Sequence, residues 1–175
     1  MNEIIKKNGI TYGIILGVFS ILTTTLIYVI DLHLFTNMWV GIISIIVYII
    51  IGILVVSNTK KQLKFITFKD AFTVFFLAAV IGTVMSTLFN MLLFNVIDPA
   101  AKETIRELTT KVAVEMMQKF GAPASAINEA AAEMEKTDNY SPFSLLKGML
   151  SAFLINAVFG VILGLIFKSR PAENL

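Results

Sequence analysis

Four long apolar stretches, Gly9 to Ile30, Met38 to Val56, Ala71 to Ile97 and Gly148 to Phe167, alternate with short polar links and one long polar insert, Asp98 to Ser144. A helix needs about 20 apolar residues to cross a ~30 Å hydrocarbon layer, so each stretch is long enough to span. None contains Asp, Glu, Lys, Arg or His. The pattern predicts an all-α, polytopic membrane protein: four transmembrane helices, with a helical hairpin between the third and fourth. The first stretch is too long for the apolar core of a secretion signal, and VIDLHLF offers no small-x-small cleavage site, so it is expected to be retained as a span.

In the insert the polar pattern becomes helical. Asp98 suits an N-cap with Pro99 in the first helical position, and Glu103 and Glu107 lie toward the positive end of the helix dipole. Ile105, Leu108, Val112 and Met116 then recur at helical spacing until Gly121 stops the run. A second helix is predicted from Pro123 to Lys136, with Ile127, Ala130, Ala131 and Met134 on one side. The ordinary reading is that these stripes pack against each other or on the mouth of the bundle. The functional reading makes Ile105, Leu108, Val112, Met116, Ile127 and Met134 a partner contact.

Composition and charge fit this layout. The chain of 175 residues is 57% hydrophobic and 15% charged, outside the usual soluble balance. Lys6 and Lys7 precede the first span, Lys60, Lys61, Lys64 and Lys69 fill the link between the second and third, and Lys168 and Arg170 follow the fourth. All three clusters fall on one side. The insert carries five basic and eight acidic residues. The positive-inside rule therefore predicts cytoplasmic termini and an extracytoplasmic insert. The four link lysines read as a topogenic signal or, alternatively, as a site for anionic lipid headgroups, and KFITFKDAF suits a segment lying against the inner headgroups.

Small residues mark the faces that let helices approach in lipid. They are Gly9, Gly13 and Gly17 in span one, Ala78, Gly82, Ser86 and Asn90 in span three, and Gly148, Ala152, Asn156, Gly160 and Gly164 in span four. The β-branched second span is expected at the periphery. Asn90 and Asn156 need partners in hydrocarbon, and Ser20, Thr23, Thr24, Ser86 and Thr87 lie at comparable depth. These groups read as glue between helices or, alternatively, as a polar path; with no ionisable residue in a span there is no proton relay or coupling-ion carboxylate. His33 beside Asp31 lacks further ligands for a metal. With no cysteine, no phosphate loop, no HExxH and no nucleophile elbow, neither enzyme nor cofactor is expected, and nothing points to nucleic acid.

The layout resembles the bacterial membrane family called domain of unknown function 4199. The resemblance rests on NGITYGIILG, ITFKDAF, FNVIDP and KFGAPASAINEAAAEMEK, and extends to the short fourth span with its basic end. It implies a four-helix inner-membrane protein with an external helical insert and no established activity. The expected role is non-catalytic: envelope interaction or assembly, through the hairpin toward an envelope protein or through the glycine faces toward a homo-oligomer, with the lipid bilayer as constant partner. The alternative is a small transporter or channel component.

Overall fold

The computed structural model describes residues 1–169, so Arg170 of the third basic cluster lies outside the described residues. Six helices follow one another: α1 (Glu3–Ile30), α2 (Met38–Leu63), α3 (Phe68–Leu92), α4 (Pro99–Lys119), α5 (Ala124–Lys136) and α6 (Pro142–Phe167). A 3-10 turn (Leu32–Thr36) links α1 to α2, and a π turn (Leu93–Ile97) extends α3 before α4. Four helices, α1, α2, α3 with its π turn, and α6, are long and apolar enough to cross a membrane.

Local signals set the helix ends. The Asn37 side chain accepts from Trp39 and Val40 N–H at the start of α2. Asp98 accepts from Ala100 and Ala101 N–H ahead of Pro99, and Gly121, at φ 74°, closes α4. Thr67 and Asp70 form a reciprocal capping box. Within KFITFKDAF the chain turns directly into α3, with Ile66 fully buried and its backbone bonded to Ser169 in both directions, while Lys64, Phe65 and Lys69 stay exposed. The charges of Lys69 and Asp70 delay the apolar run by three residues, although the helix is already under way.

α3 is the hub. Leu77, Ile81 and Met85 on one of its faces are the nearest atoms above Gly9, Gly13 and Gly17 of α1, in the same order, so the two helices run parallel. On another face Phe68 and Phe72 sit against Gly164 and Gly160 of α6 in reverse order, an antiparallel pair. Phe68, Phe72 and Phe76 stack along α3 with centroids 6.4 and 5.4 Å apart. The main core, including Leu16, Val55, Val74, Phe75 and Ala78, lies between these helices. A second core at the opposite end from the chain termini joins Leu93, Phe94, Ala101 and Ile105 to Tyr28, Leu32, Phe35, Phe89 and Tyr140. Through it, the base of α4 is fixed across the 3-10 turn.

Candidate functional site

Apart from Gly148, which is exposed, the glycines anticipated as packing positions are buried where helices meet. A Cβ on Gly13 would stand 2.7 Å from Ile81 Cβ and 3.0 Å from the Ala78 carbonyl oxygen, and one on Gly82 would stand 2.8 Å from Leu16 Cβ. The stripe on α1 therefore receives bulky side chains, and the small-residue stripes do not simply face one another. Ala152, Ser86 and Asn90 are half-buried. Around Gly148 a Cβ would meet nothing within 4 Å. Because Gly9, Gly13, Gly17, Gly82, Gly160 and Gly164 are occupied within one chain, a homo-oligomer would have to use another face.

Three amides of these helices, Asn156, Asn8 and Asn58, pair with side chains on a neighbouring helix. Tyr48 Oη donates to Asn156 Oδ1 at 2.7 Å, joining α2 to α6. Asn8 Nδ2 donates to Thr59 Oγ1 at 2.9 Å, with both residues buried, and the Asn58 amide donates to the Tyr12 hydroxyl beside them. The serines and threonines expected to meet Asn156 do not supply this bond. The signal for Tyr48 was hidden in a β-branched run, and Asn8 sits just before the apolar stretch. These bonds also revise the position of α2: its first half carries exposed isoleucines, but Gly52, Val55, Val56 and Thr59 are buried. Asn90 Oδ1 is buried without a hydrogen-bond partner among the described residues.

The four link lysines part company. Lys60 Nζ donates to the Phe167 carbonyl at 2.9 Å, closing the end of α6. Lys61, Lys64 and Lys69 are exposed, and Lys64 adopts φ 62°, a conformation that a non-glycine residue holds at a cost of roughly 1–3 kcal/mol.

At the other end, Tyr28 Oη donates to Asp98 Oδ2 at 2.9 Å, and Asn95 Nδ2 donates to the Tyr140 carbonyl at 2.8 Å. The Phe94 ring lies 4.4 Å from that of Tyr140 and 5.9 Å from that of Phe35. Lys102 Nζ bridges to Asp138 Oδ2 at 2.7 Å. Partial burial pushes the Asp138 carboxyl up, but hydrogen bonds from Lys102 and from the N–H groups of Tyr140 and Ser141 outweigh it, and the net shift is downward. Burial pushes the Tyr140 phenol up. In the exposed link, the backbone N–H and then the ring of His33 hold the Asp31 carboxyl below its usual range.

The four residues of the α4 stripe divide. Ile105 is buried in the second core and Leu108 is half-buried, whereas Val112 and Met116 are exposed. α5 packs on a different side of α4, marked by buried Thr110 and half-buried Ala113, Val114 and Met117; Ile127 and Met134 of α5 are half-buried. Arg106, Thr110 and Lys111 line a groove there with Glu135 of α5 opposite.

No curated protein and no solved structure matches the chain. Residues 11–169 match the family described as Protein of unknown function (DUF4199), a stretch running from α1 through the hairpin to the end of α6. The chain belongs to that family.

Proposed function

We propose that this is a non-catalytic membrane protein that works by contact, with its hairpin as the contact element and its spans as scaffold. The observation that carries the reading is the pairing of Tyr48 with Asn156 and of Asn8 with Thr59. These four side chains, which could line a polar path, are instead bonded in pairs, and such bonds between helices contribute on the order of 0.5–2 kcal/mol. The charged surface is concentrated in α4 and α5, where Glu129, Glu133 and Glu135 are exposed. By the distribution of lysines the termini are cytoplasmic and the hairpin lies outside a bacterial inner membrane, available to an envelope protein.

The test is photo-crosslinking in living cells from Glu129 and Glu133, compared with the exposed α6 positions Leu154 and Ile162. A discrete adduct from the α5 positions, with none of that size from α6, supports the reading. Adducts confined to α6 would overturn it and direct attention to an assembly of spans, the setting in which a transporter role would arise.

A further inference from the structure

From the run of apolar positions along α4 we infer that the far half of this helix lies on the membrane leaflet at its end of the bundle, with Val112, Met116 and Phe120 set into the lipid interface. Ala101 and Ile105 are each only 3% exposed because they press onto the second core. Val112 and Met116 follow Ile105 at steps of seven and eleven residues, which places all three on the same side of one continuous helix. The side that looks onto the end of the bundle at Ile105 thus looks the same way beyond the bundle's edge. There Val112 is 37%, Met116 53% and Phe120 85% exposed to solvent.

α5 does not cover this side, because it packs around Thr110, and no other helix follows α4 outward. The level is right for lipid. α4 begins immediately after Val96 and Ile97, which are exposed apolar residues on the last turn of the third span, and its base crosses the turn that precedes Met38 and Trp39, also exposed. Lys111, Glu115 and Lys119 are exposed along one flank of the stripe, Lys119 seven residues beyond Val112, so long charged side chains can reach headgroups beside the apolar groups. The occupant inferred is the lipid interface itself, by continuity with the surface on which Ile105 already rests. This holds whichever side of the membrane the hairpin occupies, and it leaves α5 facing water.

The chain has no cysteine, so single-cysteine variants report cleanly. Full-length Val112→Cys, Met116→Cys and Gln118→Cys are labelled with an environment-sensitive fluorophore in phosphatidylcholine vesicles doped with phosphatidylglycerol. Gln118 is exposed on another side of α4 and serves as the control. Quenching is compared between a nitroxide carried near the lipid carbonyls and aqueous iodide. Labels at 112 and 116 should be quenched at least several-fold more by the lipid nitroxide than the label at 118, which iodide should reach. Equal iodide access at all three positions would overturn the inference. So would shielding from both quenchers at 112 and 116 that disappears as protein is diluted in lipid, the mark of a second copy on this face. Adding Met116→Glu to the 112-labelled protein should lower its nitroxide quenching, which separates the native stripe's preference from that of the dye.

Discussion

Around α3, large side chains meet glycine; at the end of the bundle away from the N-terminus, large side chains meet each other. Leu77, Ile81 and Met85 seat on Gly9, Gly13 and Gly17, and Phe72 and Phe68 seat on Gly160 and Gly164. In hydrocarbon, apolar burial gives little drive for association, so attraction depends on how closely backbones approach. At the second core Phe94 sits between Phe35 and Tyr140, with Tyr28–Asp98 and Lys102–Asp138 around it. That site can exploit water: aromatic burial and ion pairing hold α4 down at its base. Beyond Thr110 no other helix of the chain supports the hairpin's two helices. The difference teaches where specificity can lie, since a keyed bundle resists change and a helix pair held along one edge can offer a surface.

The sharpest way to break the contrast is at Phe94. Phe94→Ala should cost about 3–4 kcal/mol of local stability and free the base of α4 while leaving α1, α3 and α6 together. Hydrogen exchange in lipid would show amides of 99–110 losing protection with little change in 72–85. Loss of protection throughout would mean that the two cores are one unit.

Gly13→Leu comes next, at about 2–3 kcal/mol, because the new side chain would overlap both Ile81 and the Ala78 backbone. Ile46→Leu on the exposed part of α2 should be nearly neutral. Thermal stability in detergent compares them, and equal values would place Gly13 against lipid.

A smaller effect is expected from pH. The Asp138 carboxyl is shifted downward in the folded protein, so its contribution is present above the ordinary carboxylate range and fades as pH falls through the lowered folded value. Exchange protection around Lys102, corrected for intrinsic rates, should therefore hold at mildly acidic pH and weaken only below the ordinary Asp range. Asp138→Asn should lose most of that dependence. A loss beginning near neutrality would assign the anchor to another group.

Much of this was legible in the chain, and the parts that were not share a cause. The spans, the Asp98–Pro99 start and the Gly121 stop are written in local terms: apolar length, a cap, a positive φ. The four-residue spacing of Gly9, Gly13 and Gly17 also marks a real contact face. Periodicity reports a face, however, and not what covers it. It could not tell that Gly13 receives Ile81, that Asn156 pairs with Tyr48 on a helix expected at the periphery, or that Lys60 is bound to the Phe167 carbonyl. The stripe from Ile105 to Met116 shows the same limit. It is one face in sequence, but the edge of the bundle divides it, and α5 settles on the Thr110 side that the stripe did not mark.

On the proposed reading, the amide of Asn156 and the hydroxyl of Tyr48 tie α6 to α2 and do not line a path. A double-mutant cycle on Tyr48 and Asn156, read as unfolding free energy in bicelles, tests it most directly. Tyr48→Phe and Asn156→Leu should each cost on the order of 1 kcal/mol. The double variant should cost little more than the worse single, a coupling of about 0.5–1.5 kcal/mol, because either change alone already breaks the bond. Fully additive losses with no coupling would contradict the account, since the hydroxyl and the amide would then be serving separate, hydrated surroundings.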